Sequence, residues 1–274
     1  MRVWLPLLAV LSSTDAAGAQ TSPQSTWSDD ASYRLHAEYE AYAVGVPVAA
    51  LSTGFQLGPR DYRIDLAYHT TGLVGAVFSG HQTSSAQGAW SGDRPAPVRF
   101  SGTGFWQGTW RQTVIDYPHG EPVIRSLVPP NYDEREAVPP ALQTGSVDTL
   151  SAVAMLMRQV ARTGRCETEA TTFDGRRAVD IAARTVGHEE LTQNGRSSFA
   201  GPALRCDFEG RLVAGFRRDG DRAELQRPQH GSAWFAAAVP GEPPIPVRIS
   251  FETRWFGPAT MYLTAAGPGD AAQP

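Results

Sequence analysis

The sequence predicts a mainly β protein: a curled antiparallel sheet, an open or half β-barrel, with one covering α-helix at about 148–163. Three observations carry that expectation. Apolar and polar residues alternate along several stretches. Gly and Pro punctuate the chain every eight to fifteen residues, as at Gly58-Pro59, Gly92-Asp93, Asn194-Gly195, Gly201-Pro202 and Gly257-Pro258. One stretch alone, 148–166, carries its apolar residues at helical spacing.

The N-terminus reads as a signal peptide over 1–19. Arg2 supplies charge, Val3 to Leu11 is a short apolar run, and Ala17-Gly18-Ala19 offers small residues before a cut at Gln20. That run is far below the ~20 residues of a membrane helix. No cysteine follows the cut, so a lipid anchor is not expected. The predicted location is the bacterial periplasm or beyond, and the protein is not expected to be an integral membrane protein. Residues 20–31 read as a flexible leader, 32–265 as a single β-rich domain and 266–274 as a disordered tail.

Within the domain, Tyr33, Leu35, Ala37, Tyr39 and Ala41 alternate with Arg34, His36, Glu38 and Glu40. Tyr62, Ile64, Leu66 and Tyr68 alternate with Asp61, Arg63 and Asp65, and Ile245, Val247, Ile249 and Phe251 with Arg248, Ser250 and Glu252. A period of two with one charged face means strands dry on one side, the usual pattern of antiparallel sheets. Residues 117–147, which hold Pro118, Pro122, Pro129, Pro130, Pro139 and Pro140, read as a long irregular connection to the helix.

The helix begins at Asp148, a suitable N-cap, and ends at Gly164, suited to a left-handed terminus. Leu150, Val153, Ala154, Met157, Val160 and Ala161 form its stripe, with Ser151, Arg158, Gln159 and Arg162 opposite. Asp174-Gly175 then signals a two-residue hairpin turn. Counted back from it, Ala170 shares a face with Val179 and Ile181, and Glu169 falls opposite Asp180. Cys166 and Cys206 both point to a dry face. In an oxidising compartment two cysteines pair, and this loop of about 40 residues implies roughly 4 kcal/mol of stabilisation. Neither C-x-x-C nor a zinc-ligand set is present.

The run "DTLSAVAMLMRQVARTGRC", then "FDGRR", "LRCDFEGRLVAGF" and "PVRISFET", resembles the uncharacterised bacterial envelope family catalogued as domain of unknown function 3108. The resemblance spans roughly 33–265. It implies an exported, β-rich protein with no assigned activity or catalytic residues. More loosely, the implied shape is similar to the curled half-barrels of periplasmic lipoprotein carriers.

Several functions are disfavoured. The net charge is −4 and all 24 basic residues are arginine. No nucleic-acid surface is expected, and Walker loops, Schiff bases and Ser–Lys dyads lack their lysine. There is no G-x-S-x-G elbow. His188 beside Glu189 and Glu190 lacks a metalloprotease spacing and reads as a solvated turn. No catalytic residue, metal ligand or cofactor is expected. Trp106, Gly108 and Trp110 read as one face of a strand, where glycine either leaves a ligand gap or is covered by packing. The expected function is binding or carrying an apolar ligand, such as a lipid or acyl chain, in a groove lined by Leu150, Val153, Met157, Val160, Trp106 and Trp110. The alternative is a fully packed, non-catalytic envelope assembly protein with a protein partner; a hydrolase is a third reading.

Overall fold

The computed structural model describes residues 27–269 apart from 29, 73–74, 76–78, 107 and 254–256. The strands are β1 (Tyr33–Ala43), β2 (Val46–Leu57), β3 (Asp61–Thr70), β4 (Gly80–Ser91), β5 (Arg94–Trp106), β6 (Thr109–Asp116), β7 (Val123–Val128), β8 (Thr168–Phe173), β9 (Ala178–Leu191), β10 (Gly201–Ala214), β11 (Gln229–Ala236), β12 (Ile245–Thr253) and β13 (Gly257–Pro268). All thirteen join one unclosed antiparallel sheet in the order β7-β6-β5-β4-β3-β2-β1-β13-β12-β11-β10-β9-β8. Two meanders therefore meet where the first and last strands pair, with Tyr39 opposite Leu263 and Ala41 opposite Met261. β7 and β8 are the edges. The chain passes between them through residues 129–167, which contain helix α1 (Thr149–Thr163).

Alternation sets which face is dry. On β1, Leu35, Ala37 and Tyr39 are buried while Arg34 is exposed. The Tyr39 hydroxyl donates to the Pro246 carbonyl at 2.9 Å, so even this buried polar atom is satisfied. β13 continues through Pro268 opposite Leu35, and the Gly269 N–H donates to the Arg34 carbonyl at 2.8 Å. Residues 266–268, expected in the tail, are thus part of β13. At the other end, Trp27 stacks on Tyr33 with centroids 5.1 Å apart, so the expected leader is already packed there. The expected signal peptide lies outside the described residues.

Two local expectations are corrected. The Pro-rich connection contains β7, which Pro122 and Pro129 flank rather than interrupt. The hairpin loop after β8 spans four residues, 174–177, and of these Gly175 takes the positive φ, 85°. Glu169 consequently faces Ala182, while Thr171 faces Asp180 and donates to it at 2.7 Å. The shift is two residues, so Ala170 and Ile181 still share a face and the expected like-charge pair disappears.

The sheet stays unclosed because another segment occupies the edge of β8. Val147 forms a parallel bridge with Thr172; its N–H donates to the Thr171 carbonyl, and its carbonyl accepts from Phe173. Those backbone groups are then unavailable to β7. The two edges are clasped by a side chain instead. Arg176, in the β8–β9 loop, donates from Nη2 to the Val128 and Pro129 carbonyls at 2.9 and 2.8 Å.

Helix α1 is capped as expected. The Asp148 side chain accepts from the Ser151 N–H, and Gly164 has φ 65°. It packs against β3, β4, β5 and β8. Leu150, Met157 and Val160 are buried in the core, and Val153 is half-buried against it. The opposite side is only partly open to water: Ser151, Met155 and Arg158 are also buried, Gln159 is half-buried and Arg162 is exposed. The Arg158 guanidinium lies 4.6 Å from the Trp90 ring centre and 5.5 Å from that of Trp27. Cys166, just past the helix, is disulfide-bonded to Cys206 on β10, and both are fully buried.

A buried hydrogen-bond chain seats the helix. The Tyr62 hydroxyl on β3 donates to Ser151 Oγ at 2.6 Å, and the Ser151 hydroxyl donates to Asp148. Burial raises the Asp148 pKa, and the Ser151 hydrogen bonds oppose that rise. A folded pKa above the unfolded one means that folding retains a proton there. Its contribution to stability therefore falls as pH rises from about 3.9, the unfolded value, toward the raised folded value. Asp148→Asn keeps a capping side chain without that charge. The stability of Asp148→Asn relative to wild type is expected to increase with pH across this window. A urea-unfolding series at several pH values checks it, and a flat or falling difference would refute it.

Candidate functional site

The inner face of β3–β6 is built in cross-strand rows. One row is Ile64, Ala86, Phe100 and Ile115; the next is Leu66, Ser84, Gly102 and Thr113; the third is Tyr68, Gln82, Gly104 and Arg111. Trp106 ends β5 on the same face, opposite Gly80. Glycines at 102 and 104 leave β5 bare between two aromatic residues. At Gly104 a Cβ would come within 2.5 Å of the His81 carbonyl, so the close strand approach itself requires glycine. At Gly80 a Cβ would meet the Trp106 ring at 2.3 Å, because the indole lies over that residue.

A cavity of about 600 Å3 opens at Gly102 of this patch. Tyr68, Phe100 and Trp106 supply its apolar wall. Facing them are Arg111 and the residues at the clasp of the two sheet edges, notably Glu134, Asp174 and Arg176. Arg111 donates a forked pair to Glu134 at 3.0 and 3.3 Å, which holds that carboxyl below the usual carboxylate range.

Trp106 thus borders a cavity, but Trp110 does not share its face. The expected single strand over 105–117 is a hairpin, with β5 ending at Trp106, Gly108 at φ 80° and β6 starting at Thr109. Trp110 pairs with Phe105, on the opposite side of the sheet from Trp106. It is half-exposed beside His81. Gly108, weighed as either a ligand gap or a packed position on one strand, lies in that turn, and the glycine that lines the cavity is Gly102. Alternation on β5, with Phe100, Gly102, Gly104 and Trp106 on even positions, was the available signal.

Two further cavities lie over the C-terminal meander. One of about 1060 Å3 crosses β8–β12 past Ala183, Phe208, Trp234 and Phe251. The other, about 570 Å3, lies between Met155 of α1, the loop before it, and Ala170 and Ile181. Leu150, Val153, Met157 and Val160 border none of these three; they pack into or against the core.

Arg205 and Trp234, which line the larger cavity, both pair with Glu189, which is not part of its lining. Glu189 accepts from Arg205 at 2.8 Å and from the Trp234 indole at 2.7 Å. The Arg205 and Trp234 hydrogen bonds lower the Glu189 pKa, which suits a fixed anion and not a general acid. Trp234 lies against Arg248 and Arg205, 4.3 and 5.4 Å from its ring centre. His188 is exposed within β9, where Gly187 pairs with Arg205 beside a register shift; the turn expected there is a continuous strand. Among the described residues no group of three or more His, Cys, Asp or Glu side chains is placed to hold a metal. No described helix is long and apolar enough to cross a membrane.

The family model described as Protein of unknown function (DUF3108) matches residues 32–264. The chain belongs to the DUF3108 family. No curated protein matches this DUF3108 sequence. Among solved structures, a β-barrel-like protein of domain of unknown function DUF1849 from Brucella abortus is similar over 88% of this chain and 99% of its own, with TM-score 0.54 and 10% identity. That likeness concerns the fold alone. A putative lipoprotein from Parabacteroides distasonis covers 87% of this chain and 100% of its own, at TM-score 0.36 and 8% identity.

Proposed function

We propose that this DUF3108 member is an exported, non-catalytic binding protein of the bacterial envelope that holds the acyl chain of an amphiphile inside its curled sheet. One observation carries the reading: the cavity of about 600 Å3 whose wall is Tyr68, Phe100 and Trp106 and whose lining includes the side-chain-free Gly102 between them. Its volume falls in the range of small-molecule sites, about 300–1,000 Å3. Burying about 12 methylenes contributes roughly 10 kcal/mol before the costs of immobilisation. The buried disulfide is compatible with an oxidising compartment. The groove therefore differs from the one expected beneath the helix. α1 packs into the core, and the proposed ligand space lies against β3–β6 with no α1 residue in its lining.

Native mass spectrometry of protein prepared from a periplasmic extract without detergent tests this. The expected result is a population carrying a lipid-sized adduct that organic solvent removes. Consistent recovery of the bare polypeptide, together with no uptake of added fatty acid, would overturn the binding reading and favour a fully packed assembly factor. A periplasmic fraction lacking the protein, with the chain retained in the cytoplasm, would overturn the location.

A further inference from the structure

The cavity against β3–β6 has a strongly cationic mouth. Five arginines line it, Arg111, Arg135, Arg176, Arg177 and Arg217, against two carboxylates, Glu134 and Asp174. This runs against the charge of the whole chain, which is −4. Three of the guanidiniums have carboxylate partners: Arg111 with Glu134, Arg177 with Asp174, and Arg217 with Asp219. Arg135 and Arg176 instead donate to backbone carbonyls. Arg135 reaches Gly215 at 2.9 Å, and Arg176 reaches Val128 and Pro129. Arg176 is 9% exposed, and its buried Nη1 meets no hydrogen-bond acceptor among the described residues.

We propose that Arg135 and Arg176, with Arg111, Arg177 and Arg217 around them, form an oxyanion site that takes the phosphate or carboxylate head group of the bound amphiphile. The proposal rests on the amphiphile reading above and names the part of the ligand that reading leaves open. The geometry supports it in two ways. Two guanidiniums without carboxylate partners among the described residues face one small space, and planar forks match tetrahedral or planar oxyanions through paired N–H bonds. An aromatic wall continues directly from that space, so one molecule satisfies both surfaces. Burial, reinforced by neighbouring guanidiniums, lowers the pKa of both Arg135 and Arg176; a bound anion would relieve that repulsion.

The test compares three probes by titration calorimetry: decyl phosphate, decanol and inorganic phosphate. Wild type is expected to bind decyl phosphate about 10-fold or more tightly than decanol, the return from at least one charge-assisted hydrogen bond. Inorganic phosphate is expected to compete with decyl phosphate but not with decanol. The Arg135→Gln, Arg176→Gln double variant is expected to bind the two chains equally, with decanol affinity unchanged. Should that variant fail to fold, phosphate competition on the wild-type protein decides between the same two outcomes.

Equal affinity of wild type for decyl phosphate and decanol, with no phosphate competition, would overturn the oxyanion site and leave the amphiphile reading standing. Saturable binding of inorganic phosphate, lost with Arg135→Gln, without uptake of either chain would overturn the amphiphile reading and keep the oxyanion site. No binding of any probe would overturn both.

Discussion

A chain carrying Cys166→Ala and Cys206→Ala is expected to lose about 4 kcal/mol of unfolding free energy. The bond closes a sequence separation of 40 residues and joins two fully buried sulfurs. Its placement explains why the loss should be large. Cys166 stands between α1 and β8, and Cys206 on β10, so the crosslink spans β9 and ties an edge strand and the helix exit to the sheet interior. β8 is short, and on its outer side only Val147 bridges it among the described residues. Without the crosslink the denatured chain regains its loop entropy while the native contacts remain unchanged. Urea titrations of oxidised wild type and the double variant, each fitted with its own slope because the uncrosslinked denatured chain is less compact, give the difference. A loss under about 1 kcal/mol would show that the edge is held by its packing and by the Arg176 clasp alone.

Met157→Ala is the second large expected effect, about 2–5 kcal/mol of destabilisation. Met157 sits mid-helix, fully buried in the core cluster with Leu150, Ala154 and Val160. Truncating it removes buried methylene and sulfur contacts and leaves a void that the surrounding strands fill only partly. Val153, half-buried at the rim of the same stripe, should lose distinctly less on substitution with alanine. The comparison separates two roles for α1. A helix that is part of the core loses stability at Met157 and keeps ligand affinity. A lid over the ligand would lose affinity with little change in stability. Measuring both quantities on the two variants distinguishes them.

Much of this was legible because its determinants are local. The faces of β1, β3 and β12 follow from a period of two, and a strand's own residues set that period. The caps of α1 lie within one turn of its ends, at Asp148 and Gly164. The β8–β9 loop shows where legibility stops. Asp174-Gly175 marked the turn, yet the loop took four residues, with the Asp174 carboxylate accepting from the Arg176 and Arg177 N–H groups. The face survived only because the change was even. β7 was hidden since six residues between prolines carry too short an alternation to stand out. Trp106 and Trp110 were read on one strand because the turn residue Gly108 also suits a strand gap.

The sequence by itself determined the strand faces and the caps of α1, since each depends on residues within a few positions of one another. Tertiary structure alone decided which strands are neighbours and where the interior stays empty. β1 meets β13 across more than two hundred residues, Val147 takes the β8 edge, and Arg176 reaches the end of β7. Those pairings are choices among many alternating strands with equivalent dry faces. Only the folded chain, by satisfying backbone groups at both edges at once, selects among them, and the cationic mouth of the cavity exists because that selection brings distant arginines together.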